Sequence, residues 1–328
     1  FPRQALQVLT GRGYAQAFSG WIIAVIVREK PGFLALFFVY QGSIAPRVLP
    51  QILLVALLSA LLVWVHDHYP QLFPELSTSS FAFIGIALSL YLGFRNNACY
   101  ERWWEGRRLW GQLLVQTRSL LRMSLAYRGE ESERHKRMTR RLVAFAGCLR
   151  DQLRDVDPMP GLQEWLGDAE CWQLESAVNR PERILQMIGE QVAVEVKTGG
   201  FDSVTARNFE QCLTALSDVV AGCERLANTP LPFAYMLLVH RTSYIYCLLL
   251  PFGLVAGSGM ITPLLTAIVA YAFFGLDELS QQLEQPFSAG DNGLPLDAMT
   301  LTLERECRQA LGEQHLPAAP SCRDYRLT

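Results

Sequence analysis

Residues 81–112 read FAFIGIALSLYLGFRNNACYERWWEGRRLWGQ, and this run restricts the fold more than any other part of the chain. Residues 81–94 carry no charge, and the polar stretch after them is dense in arginine and tryptophan. No soluble core requires that transition. A helix leaving hydrocarbon does, because backbone groups in lipid must be paired internally while Arg and Trp settle where lipid gives way to water.

Composition points to a chain of mixed character. Half of the residues (50%) are hydrophobic, 18% are charged and mean hydropathy is +0.15. That is too apolar for an ordinary cytosolic enzyme and too charged for a chain wholly inside the bilayer. With a formal charge of -2 and basic residues set beside acids, the chain lacks the footprint of a nucleic-acid binder, and no nucleic-acid partner is expected. The eight cysteines never form CxxC and read as free thiols in helical packing. His66, Asp67 and His68 fall in a short polar stretch that reads as a solvated loop. Two imidazoles and a carboxylate so close in sequence rarely close a coordination shell, so no metal is expected.

Four apolar stretches, residues 48–65, 81–94, 244–256 and 261–276, are candidates to cross a membrane. Three are shorter than the roughly 20 residues a lone spanning helix needs, so they must lengthen into helices continuing beyond the lipid or be shielded by neighbouring chains. Residues 95–141 are rich in arginine, whereas residues 66–80 and 257–260 contain no Lys or Arg. By the positive-inside rule the first is cytosolic and the others external, which leaves both termini in the cytosol of a multi-pass protein of the cell membrane.

The expected architecture is therefore all-α. An ill-defined N-terminal extension covers residues 1–30, a membrane region 31–94 and 243–276, a helical cytosolic region 95–242 and 277–311, and a loosely ordered tail 312–328. In the cytosolic region, apolar residues recur at three and four spacing in RRLVAFAGCLRDQL and FEQCLTALSDVVAGCERL, the signature of amphipathic helices. Phosphate-binding GxxxxGK, nucleotide-binding GxGxxG and the GxSxG nucleophile turn are all missing. The carboxylates near residue 131 sit beside Arg134 and Lys136, as on a solvated helix surface. No enzyme is indicated.

On the second apolar stretch Ile86, Leu90 and Phe94 recur at i, i+4 and i+8 and share one face, while Gly85, Ala87, Ser89 and Gly93 keep the other sides slim. By spacing alone such a stripe is ordinarily bundle core. Several copies around an axis would instead stack it into apolar rings, a constriction that gates ions by excluding water.

Resemblance adds to this reading. GFRNNACYERWWEGRRLWG (93–111), the preceding FAFIGIALSLYL, GCERLANTPLPFAY (222–235) and LDELSQQLEQPF (276–287) together resemble the bestrophin ion channels, particularly their bacterial branch. The resemblance implies a homopentamer with four membrane spans per subunit, a helical cytosolic region and one pore on the five-fold axis. It implies that Ile86, Leu90 and Phe94 form the apolar pore neck, and that Val204, in FDSV, forms the narrow cytosolic aperture. The implied partners are further copies of the chain, the lipid bilayer and small inorganic ions.

Apolar rings hold no fixed charge, so discrimination must come from partial charges elsewhere. Ser79 and Ser80 before the second span, and Thr262 with Pro263 opening the fourth, are candidate helix starts whose amides would attract anions; the plainer reading is that they only cap helices. Eukaryotic members clasp calcium with an acidic run after the PF dipeptide. Here Pro286 and Phe287 are followed by Ser288, Ala289, Gly290, Asp291, Asn292 and Gly293, a thin supply of carboxylates, so no cofactor is expected and calcium activation is doubtful. The expected function is passive conduction of small monovalent ions, chloride by family default, with sodium or potassium conduction as the alternative. A membrane-anchored helical scaffold binding a cytosolic partner is the rival from another class.

Overall fold

The computed structural model describes residues 25–26, 42–72, 78–130, 132–323 and 326–327. Of the expected N-terminal extension over residues 1–30, all but Val25 and Ile26 lies outside the described residues, as do residues 31–41 of the expected membrane region.

Four long helices contain the four apolar stretches. Helix α1 covers Ala45–His68, α2 Thr78–Arg128, α8 Phe233–Ser258 and α9 Thr262–Glu284. The apolar windows of Ala45–His68 and of Phe233–Glu284 reach mean hydropathies of 2.5 and 1.8, with only 28% of each buried. Along α1 the leucines 49, 53, 54, 57 and 61 are exposed together with Trp64, an apolar surface far larger than a soluble monomer carries. Pro251 lies inside an unbroken α8.

The short second stretch proves to be the first part of a 51-residue helix. At 1.5 Å per residue, α2 is roughly 75 Å long and reaches well beyond any bilayer. Its early turns bury Leu88 and Leu92 against Val55 of α1, Cys247 and Leu250 of α8, and Ala270 and Phe274 of α9. Its later turns bury Trp110, Leu113 and Leu120 in a separate core. That second core is completed by α3 (Glu133–Leu153), α4 (Met159–Trp165), α5 (Asp168–Glu175), α6 (Arg180–Lys197), α7 (Ser203–Asn228) and α10 (Leu296–Ala310). Phe145, Leu149, Ile188, Phe209, Leu216 and Leu303 fill it.

Two expectations are corrected. His66, Asp67 and His68 belong to the last turn of α1 rather than to a loop, and the His68 ring nitrogen Nδ1 lies 2.8 Å from the Trp64 carbonyl. The helix runs one turn past the apolar stretch, and the imidazole folds back onto the carbonyl four residues earlier. The tail, expected to be loose over 312–328, contributes two strands, so the fold is helical with a small ribbon: β1 (Val25–Ile26) and β2 (Cys322–Arg323) flank β3 (Arg326–Leu327), both antiparallel. Two-residue strands are too short to leave an alternation in the sequence.

Among the described residues, seven cysteines are free thiols. Cys99, Cys148, Cys171, Cys212, Cys223, Cys247 and Cys307 form no disulfide, and burial pushes Cys148, Cys223 and Cys307 up to about 12, which keeps them neutral.

Candidate functional site

Helix α2 presents two different faces. Leu88, Leu92, Arg95 and Cys99 are buried at a four, three, four spacing, so that side faces the other helices. Ile86, Leu90 and Phe94 stand on the other side, 65%, 57% and 56% exposed. The stripe is therefore not the interior of this chain's own bundle. The same side continues through Asn97 and Glu101 to Arg108, all exposed.

Directly after Phe94 the helix is fixed by a buried ion pair. The Arg95 guanidinium is wholly buried and pairs with Asp277 of α9. The other carboxylate oxygen of Asp277 lies 2.7 Å from Nδ1 of His240 on α8, and Gln281 donates to it at 3.3 Å. Three helices thus meet at one carboxylate. Charges so nearly desolvated persist only when paired. Spacing and composition gave no sign of this cluster; the available signal was an arginine closing an uncharged run and an aspartate opening the polar end of another.

Two turns further along α2 from Arg95, the three segments that carry the family resemblance converge on Arg102. Its guanidinium donates to the carbonyls of Leu226 at 2.6 Å, Thr229 at 2.7 Å and Glu284 at 3.2 Å. These are terminal carbonyls of α7 and α9 that have no intrahelical partner. The Glu284 carboxylate in turn accepts from the Leu231 amide at 3.0 Å. Trp103 Nε1 donates to the Asn292 carbonyl at 2.9 Å, and a Cβ at Gly106 would press on Leu294, Phe287 and Pro286. So Arg102, Trp103 and Gly106 of the motif dense in Arg and Trp hold α2 in place. Arg102→Lys is expected to lower stability by about 2 kcal/mol, because an ammonium cannot reproduce the guanidinium's fork to three carbonyls. An unchanged midpoint of thermal unfolding would count against this role.

Val204 sits in the first turn of α7 and is 65% exposed. The helix start is capped by Asp202, whose side chain accepts from the Thr205 amide at 2.6 Å. Hydrogen bonds from the Thr205 side chain and backbone hold the Asp202 carboxyl below its usual range.

Of the candidate anion-attracting helix starts, Ser79 and Ser80 lie in the first turn of α2. Thr262 is the first residue of α9, with Ile261 at the N-cap making no side-chain cap, because a turn of 3-10 helix over Gly259–Ile261 feeds straight into α9. Thr262 is fully buried and Pro263 half-buried.

The loop after Phe287 does not fit calcium. Asp291 lies 3.7 Å from the Arg47 guanidinium, and the Asn292 amide donates to Gln282 at 2.6 Å. Among the described residues no cluster of His, Cys, Asp and Glu could hold a metal ion.

Comparison with known proteins agrees with this geometry. Residues 25–309 match the family model described as Bacterial/Fungal Bestrophin protein. The chain is 40% identical over 302 residues to a voltage-dependent anion channel-forming protein of Mesorhizobium japonicum, covering 92% of this chain and 97% of that one. It is 38% identical over 307 residues to the voltage-dependent anion channel-forming protein YneE of Salmonella typhi, covering 93% and 100%. Among solved structures it is similar to a bacterial bestrophin homologue from Klebsiella pneumoniae, with a TM-score of 0.79, 36% identity, and coverage of 82% of this chain and 100% of that one.

Proposed function

The chain belongs to the bacterial and fungal bestrophin family, and from that premise we propose that it forms a homopentameric channel passing small inorganic anions, chloride foremost, down their gradient across the bacterial inner membrane. It is a membrane protein and not an enzyme. Helices α1, α8, α9 and the early turns of α2 are the four spans, with both termini cytosolic. The observation that carries the proposal is the exposed stripe of Ile86, Leu90 and Phe94 on a helix whose opposite side is packed and pinned. Five copies facing one axis turn that stripe into three apolar rings that admit ions only when wetted. Val204 then narrows the cytosolic path.

The sign of the ion rests on different support. Glu101 and Arg108 continue the same side of α2 with opposite charges, so that face favours neither sign. Two relatives are named for anion channel formation, and this tips the reading to chloride. The loop over 288–293 receives the Trp103 indole at Asn292 and acts as a support for α2, not as a calcium clasp.

A bilayer containing purified protein under a potassium chloride gradient tests the proposal. The reversal potential is expected near the chloride equilibrium value. Reversal near the potassium value would overturn the anion reading in favour of a cation channel, and absence of current from intact protein would favour the scaffold.

A further inference from the structure

We infer that Glu195, with Arg128 and Arg134, is a positioning device that sets the width of the Val204 aperture. The inference rests on the pore reading above and adds to it which residues regulate the second constriction. Glu195 lies near the end of α6, and its carboxylate is almost fully buried although α6 ends at the surface. It pairs with Arg128, the last residue of α2, and with Arg134 of α3 at 2.7 Å. A carboxylate buried there to no structural profit would be costly, and the two guanidinium groups are what make it tolerable.

The same residue also fastens the loop that leads to Val204. Its carbonyl accepts from the amides of Gly200 at 2.8 Å and Phe201 at 3.2 Å, closing a tight turn through Gly199 at φ +72. Phe201, three residues before Val204, is buried between helices: its ring stacks on Phe209 at 5.1 Å and meets Tyr127 edge-on at 6.0 Å. The Arg128 guanidinium lies 4.8 Å from the Phe201 ring centroid. A Cβ at Gly200 would meet the ends of the Arg128 and Glu195 side chains, so a larger residue there would push the clamp apart. Backbone, ring and charge thus tie Gly200 and Phe201 to Glu195 and the end of α2, and the exposed Val204 side chain follows directly on this anchored loop.

The test compares the iodide to chloride permeability ratio of the assembled protein in bilayers. Val204→Ala sets the shift produced by widening the aperture directly. Glu195→Gln is expected to move the ratio at least twofold in the same direction, and the double variant to move it by less than the product of the two, because both act on one constriction. Gly200→Ala, which prises the clamp apart without removing a charge, is expected to reproduce the effect and serves where Glu195→Gln does not assemble. A loop that merely supports the fold would lower the unfolding temperature while leaving the ratio fixed. That result, or a fully multiplicative double variant, would overturn the inference while the pore reading stands. No current from the wild-type protein would instead remove the pore reading itself.

Discussion

Replacing Ile86, Leu90 and Phe94 together by alanine is expected to raise single-channel current by on the order of tenfold, the effect of lowering a conduction barrier by about 1.4 kcal/mol. The physical basis is that bulky apolar rings hold water off the axis, and methyl groups leave a wider path that stays wet. The protomer itself should barely notice the change, since the three side chains are more than half exposed in it. On the packed side of the same helix, Leu92 is fully buried, and Leu92→Ala should cost about 2–5 kcal/mol through lost packing. Current and thermal unfolding measured on both variants therefore separate the two faces. If the triple variant conducts like the parent, the stripe does not form the neck.

Asp277→Ala should be among the most damaging single changes in the apolar half of the protein, costing about 3–5 kcal/mol because it strands a buried guanidinium. Arg95 is wholly buried, and among the described residues Asp277 is its one hydrogen-bonding partner. The double variant Arg95→Met with Asp277→Leu removes both charges and should recover most of that loss. Unfolding midpoints in detergent decide the matter: a single variant as stable as the parent would mean that the pair does not hold α2 to α9.

The apolar half of this fold was legible in the sequence because lipid imposes a crude rule. Uncharged runs and arginine flanks place helices without any knowledge of their partners, and the helices over 48–65 and 81–94 were found that way. Helix ends were less legible. Thr262 looked like a cap but is the first residue of the helix, behind an uncapped Ile261 and a 3-10 turn whose Gly259 carbonyl accepts from the Thr262 amide. The stripe could be read from its spacing, but whether it faced inward or outward could not, because that depends on where Leu88 and Leu92 find partners in α1, α8 and α9. Val204 carries no local signal and rests on resemblance. The clamps at Asp277 and Glu195 were hidden for a different reason: each joins residues distant in sequence, and a lone acid near a helix end ordinarily reads as solvated.

Helix α2 carries the stripe near its beginning and the Glu195 partner at its final residue, with no break between. One residue gained or lost in that interval would rotate everything downstream by about 100°. Arg102 would then miss its carbonyls and Arg128 its acid, with no loop nearby to absorb the error. Natural variation in chain length should accordingly be barred from residues 95–128 and collect in joints between the shorter helices such as 155–157, where a loop rather than one continuous helix takes up a change of phase.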